Sequence, residues 1–289
     1  MDRRDPFPRR TATLGLMVPW LAEVVTTLPG LVRSYGPGGA LDPRTREQII
    51  LAVTEVNGCR YCAWIHGSWQ EFLGNADHIA DAEQALLAYA RACAEAGRPL
   101  PADDLIGVLP PAAVRAVRAT VAQIEVSNLV GNTVDGLLAR LARKRPLSPI
   151  AFAREAATIA AAVPIAIPLL ATAGAMRVAA RVAPPLPAVE MPPAGEANLL
   201  VHLLAAAAPT YLSNAVVRLA LLGLPRPVAV GIRAGRTAAT VRIGRGAVEV
   251  ENGISRDTIV VVEGEVEPLL QLATGSIVRE LSNVRIRPS

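Results

Sequence analysis

At 289 residues the chain has length for about two domains, and 52% hydrophobic content gives enough apolar material for packed cores, which excludes a disordered chain. Aromatic residues make up only 3%, so those cores are built from Ala, Val, Leu and Ile. The 29 basic residues exceed the 25 acidic ones by four, and all but Lys144 are Arg; so small an excess argues against a nucleic-acid partner.

In chain order, Arg9 and Arg10 precede a short apolar stretch, Leu14 to Leu21. The pair has the outward form of a twin-arginine signal, but Pro19, Glu23 and the lack of a small-residue cleavage site favour an amphipathic first helix. From Asp42 to about Leu141, apolar residues recur at helical spacing, as in Ile49, Ala52 and Val56 and again in Leu86, Ala90 and Cys93, which predicts antiparallel helices. Ala156 to Met176 carries no charge and is long enough to span a bilayer. Its alanines, Pro164 and Pro168, and the missing aromatic belt point instead to a buried helix in a helical assembly. Six prolines and glycines from Pro184 to Gly195 predict a linker unable to hold a helix or a sheet ladder, since proline lacks a backbone donor.

Beyond the linker the period changes. Glu196 to Leu222 predicts one or two helices. Val228, Val230 and Ile232, then Val241 and Ile243, then Val248 and Val250 alternate as strands do, with Gly235, Gly244, Gly246 and Asn252-Gly253 as turns. Thr258 to Val262 predicts a further strand, Glu265 to Leu272 a helix capped by Gly275, and Val284 and Ile286 a final edge strand. The fold class is multidomain α and α+β: an all-helical domain over 1–182, a Pro-rich linker over 183–195 and a small mixed domain over 196–289.

The three cysteines cannot all pair, and Cys59 and Cys62 stand three positions apart, which suits an intracellular, cytoplasmic redox site more than a secreted framework. Asn57-Gly58 can end one helix and let another start at or just before Cys59. Both thiols then sit in a first turn, where free N–H groups and the positive end of the dipole favour a thiolate. At 100° per residue, Cys59, Cys62 and His66 share an arc of about 60°. In this reading Cys62 attacks, Cys59 resolves, His66 accepts a proton, and Glu47 returns from the preceding helix to orient the imidazole. Three alternatives stand beside it: half of a zinc site with His66 as third ligand, a pair of inert buried thiols, and for Glu47 an ordinary exposed carboxylate beside Arg44 and Arg46. Cys93 reads as an inert core thiol, His78 and His202 as non-ligating, and Arg140, Arg143, Lys144 and Arg145 as complements to a helix C-terminus.

The pattern Glu-x11-Cys-x2-Cys-x3-His, within Arg-Glu-Gln-Ile-Ile-Leu-Ala-Val and Asn-Gly-Cys-Arg-Tyr-Cys, resembles the carboxymuconolactone decarboxylase and alkyl hydroperoxidase AhpD-like family over roughly Leu41 to Leu141. The thiol pair resembles its peroxidase-like branch. The resemblance implies a disulfide oxidoreductase, an antioxidant peroxidase without metal or cofactor. In it Glu47 activates His66, His66 deprotonates Cys62, and Cys62 reduces an organic hydroperoxide before pairing with Cys59. It further implies a homo-oligomer, an unidentified protein or thiol reductant, and places for Trp64 and Trp69 in an interface or, for Trp64 especially, in the core. From about Asn198 to Arg287 the order of elements resembles the sterol-carrier-protein type 2 fold, which implies an apolar lipid ligand, although the chain lacks a covering helix after the last strand. Two other functions are consistent with these residues: a lipid carrier with a regulatory thiol pair, and a decarboxylase-type lyase or isomerase using His66 and Glu47.

Overall fold

The computed structural model describes residues 7–35, 40–74, 81–106, 109–193, 195–264 and 285–288. It is rich in helix, with a small mixed sheet toward the C-terminus, and it divides into two compact units, the second made of the chain from Val178 together with a short piece that begins at Phe72. The helix expected over Glu265 to Leu272, the Gly275 cap, Val284 and His78 lie outside the described residues.

The first unit is helical. It contains α1 (Leu14–Tyr35), α2 (Pro43–Asn57), α3 (Arg60–Leu73), α4 (Asp81–Ala96), the single turn α5 (Asp103–Ile106), α6 (Pro111–Leu141) and most of α7 (Pro149–Val182). Asp42 caps α2 by accepting the Arg44 N–H at 2.8 Å, and Pro43 enters at the first helical position, where its missing donor costs nothing. α6 is the central element. α1 and α2 pack along it, and Ile49, Ile50, Val53, Ala90, Cys93, Val117, Val121 and Ile124 form a core of small and branched side chains. Cys93 is fully buried there, as expected of an inert packing thiol, and burial raises its pKa above the ordinary thiol value.

Two expectations about this unit are corrected. α7 is not a buried helix: among its residues only Glu155 and Ala173 are buried, while Val163, Ile165, Ile167, Leu169 and Leu170 are exposed. An uncharged run shows that a helix is apolar but not what covers it, and by length and composition both Leu14–Leu31 and Pro149–Val182 could cross a membrane. Arg140 and Arg145 do more than face a helix terminus. Both are buried on Glu155, at 2.9 Å and 3.2 Å, and this ionic cluster ties the start of α7 to the end of α6.

The second unit carries α8 (Leu199–Leu212) and α9 (Ala215–Leu222), each capped by an asparagine side chain, Asn198 and Asn214. The sheet contains β1 (Ala188–Glu190), β2 (Val228–Ala234), β3 (Thr237–Ile243), β4 (Ala247–Asn252), β5 (Thr258–Gly264) and β6 (Arg285–Pro288), in the order β1-β4-β3-β2-β5-β6. β2, β3 and β4 form an antiparallel meander with Val241 opposite both Val230 and Val250, β5 runs parallel to β2, and β6 closes the far edge. Gly235 and Gly253 take positive φ in the turns after β2 and β4. The proline-rich stretch is not purely a linker. Ala188, Val189 and Glu190 stand between prolines, keep their own donors, and add a parallel edge strand to β4. Leu200, Val201, Ala205, Val248 and Val250 are buried between α8 and the sheet.

Candidate functional site

The turn between α2 and α3 builds the site. Gly58 takes φ 65°, a conformation that suits glycine, and its N–H donates to Thr54 O at 2.8 Å, so α2 stops there. Cys59 then occupies the cap of α3. Its carbonyl accepts the Ala63 N–H at 2.9 Å and its sulfur accepts the Cys62 N–H at 3.3 Å. The two sulfurs lie 2.7 Å apart, both buried.

This arrangement makes the two thiols unequal. The hydrogen bond between the two thiols lowers the Cys59 pKa; burial opposes this, the backbone N–H groups of Cys62 and Tyr61 reinforce it, and the Asp135 carboxylate works against it. Cys62 is pushed up, first because its proton is engaged by Cys59 and then by burial. When the pair loses its first proton, the Cys62 N–H on the Cys59 sulfur favours the negative charge there.

Glu47 is fully buried on α2, not an exposed carboxylate. One of its oxygens lies 2.7 Å from His66 Nδ1 and the other accepts from Arg46 Nε and Nη2 at 3.3 and 3.2 Å. A carboxylate on Nδ1 fixes that nitrogen as the donor and leaves Nε2 as the basic one. His66 follows Cys62 by one turn of α3, so the Glu47–His66 pair and the Cys59–Cys62 pair are linked by one face of that helix. Trp64 is 40% exposed and does not belong to the core, because the face of α3 that carries it points away from the buried thiols. Among the described residues, no three His, Cys, Asp or Glu side chains converge as a metal site.

α6 supplies the part of the site that sequence reasoning missed. A methyl group on Gly131 would stand 2.5 Å from Cys59 Sγ and 3.7 Å from Cys62 Sγ, so glycine is what lets the sulfurs approach the helix. Around it, Asn132 Nδ2 donates to Asn57 O at 2.9 Å, Asn57 Nδ2 donates to Glu125 at 2.9 Å, and the Thr54 hydroxyl donates to Asn128 Oδ1 at 3.3 Å. The signal was present as Glu125, Asn128, Asn132 and Asp135, a polar stripe at 3-4-3 spacing on an otherwise apolar helix face with a glycine in its middle. A cleft of about 480 Å³ opens beside the turn, lined by Leu51, Thr54, Glu55, Cys59, Arg60 and Ala63.

The fold and site define the first unit as a helical dithiol domain with a histidine–carboxylate pair. Residues 19–97 match the carboxymuconolactone decarboxylase family, whose members are enzymes and which is related to the AhpD peroxidases. The match begins within α1 and ends just after α4, earlier at both ends than Leu41 to Leu141, and it contains Glu47, Cys59, Cys62 and His66. No curated protein and no solved structure matches the chain.

Proposed function

We propose that the protein is a peroxidase-like thiol–disulfide oxidoreductase whose oxidant is an organic hydroperoxide. The observation that carries this reading is the pair of sulfurs at 2.7 Å at the head of α3, with His66, held on Glu47 at 2.7 Å, one helical turn beyond Cys62. A hydroperoxide in the cleft meets the turn that carries Cys59, one of the residues lining it. The Cys59 thiolate attacks the distal peroxide oxygen, the O–O bond breaks, and the alkoxide leaves as alcohol after taking a proton, giving Cys59 sulfenic acid. Cys62 then attacks that sulfur, with His66 Nε2 taking its proton; water leaves and the disulfide closes. Two electrons from an external thiol or dithiol protein reopen it.

This order reverses the sequence expectation, in which Cys62 attacks. The reason is electrostatic: the cap position gives Cys59 the backbone N–H groups, while Cys62 sits as their donor-side neighbour. Glu47 and His66 keep the roles of holder and proton acceptor. An apolar ligand on the second unit is not needed for this chemistry.

The decisive test is titration with cumene hydroperoxide followed by mass-spectrometric mapping. A Cys59–Cys62 bridge that forms stoichiometrically in the full chain, slows with His66→Ala, and is replaced by a trapped sulfenic acid on Cys59 in Cys62→Ser is the expected result. Oxidation that spares both residues would sink the proposal.

We also propose that the protein self-associates through α1. Leu14, Val18, Leu21, Val25 and Leu28 recur at 4-3-4-3 spacing and are all exposed, the seam that a second helix of the same kind would cover.

A further inference from the structure

The paired arginines before α1 have no role in the chemistry above, yet their side chains converge on the thiol turn. Residues 7–13 run without regular structure, with Thr11 and Ala12 buried, and the Ala12 N–H donates to Thr133 Oγ1 of α6 at 2.8 Å. Arg9 Nη1 donates to the Gly58 carbonyl at 3.1 Å and to Asp135 Oδ2 at 2.6 Å, with the guanidinium 5.0 Å over the Phe7 ring. Arg10 Nη2 donates to Asn57 Oδ1 at 2.7 Å and to the Ala94 carbonyl. Asn57 and Gly58 are the two residues immediately before Cys59, so both arginines hold the segment that fixes the reactive sulfur at the head of α3.

The charges make the contact more than a staple. Cys59 faces Cys62 and Tyr61 from its own helix, Asp135 and the bare backbone of Gly131 from α6, and Arg9 through Gly58; Glu55 shares the cleft but is largely solvated. Asp135 is nearly buried and opposes a negative sulfur. It is balanced by two cations. Arg60, at 2.7 Å, is mostly exposed and its charge is screened by water, while Arg9 is the more sheltered partner.

We propose that Arg9 and Arg10 are positioning residues of the thiol site, Arg9 by neutralising Asp135 and pinning the Gly58 carbonyl, Arg10 by holding the Asn57 side chain. The proposal rests on the reading that Cys59 is the charged sulfur. It assigns the Arg-Arg pair to the site of its own chain, where it acts across 49 residues to Gly58 and 126 to Asp135.

The test measures the iodoacetamide alkylation rate of Cys59 in the full chain against pH, mapped by mass spectrometry, with no peroxide present. Arg9→Gln leaves Asp135 to the solvent-screened Arg60 alone and moves the midpoint up by about one unit, roughly a tenfold loss of alkylation rate below it. Asp135→Asn moves it down, Arg9→Gln with Asp135→Asn returns it close to the parent, and Arg9→Lys keeps most of the parent value. An Arg9→Gln midpoint equal to the parent's, with only thermal stability lost, overturns the proposal, as does a double variant that behaves like Arg9→Gln. A parent midpoint at or above that of a free thiol, about 8.5, overturns instead the assignment of charge to Cys59, whatever Arg9 does.

Discussion

Replacing Gly131 by alanine sets two opposed effects against each other, and the structure says which one wins. In the interior of α6 the substitution should stabilise, because alanine exceeds glycine by about 1 kcal/mol in helix propensity. The new methyl, however, falls 2.5 Å from Cys59 Sγ, where a comfortable contact is about 3.7 Å, so the sulfur must move by more than ~1 Å. Cys59 cannot rotate away freely, because its sulfur is engaged by the Cys62 N–H and thiol. Overpacking of this kind costs about 1–3 kcal/mol, which leaves Gly131→Ala destabilised by up to ~2 kcal/mol, a fall of a few degrees in Tm. The effect on chemistry is larger, since a displaced Cys59 loses its cap geometry: disulfide formation under peroxide slows by about tenfold or more. Gly67, on α3, is the control, because a methyl added there meets nothing within 4 Å; Gly67→Ala should show the ordinary helix gain and unchanged thiols. Calorimetry and thiol mapping on the two variants decide the matter. If Gly131→Ala is as stable as Gly67→Ala and oxidises at the parental rate, the packing of α6 against the sulfurs is wrong.

Glu47→Gln keeps a hydrogen bond to His66 but removes the charge that supports the imidazolium, so disulfide closure should slow about ten- to hundredfold while the folded state persists; a parental closure rate in stopped-flow oxidation would exclude Glu47 from the relay. Burial raises Glu125 to about 7, with Asn57 and Arg10 opposing it. The folded state therefore holds this proton more tightly than the unfolded chain, and the associated stability, on the order of 3 kcal/mol, is full below about pH 4.5 and is lost as pH rises toward 7. Urea denaturation across that window should show this decline in the parent and a flatter profile in Glu125→Gln, and identical profiles would refute it. Glu155→Ala strands Arg140 and Arg145 in the interior and should cost about 3–5 kcal/mol in the same assay. Leu21→Glu with Val25→Glu should reduce the mass seen by light scattering to that of one chain; a mass unchanged by this pair would remove α1 as the self-association surface.

Local chemistry was legible throughout. Asn57-Gly58 announced the end of a helix because glycine alone reaches the left-handed region without strain, and two cysteines and a histidine at spacings of three and four had to share a helix face. Alternation in Val228 to Val250 likewise marked three strands, since side chains on a pleated backbone change face at every residue. What tertiary structure alone decided were the contacts between distant segments and the environment of groups whose identity does not reveal their surroundings. An arginine reads the same in sequence whether solvated or closed on Asp135. A glycine in α6 becomes informative only when Cys59 stands opposite it. The reason is range: propensity, capping and periodicity act within a few residues along the chain, whereas charge balance and packing act across a few ångströms of space between residues that folding alone brings together.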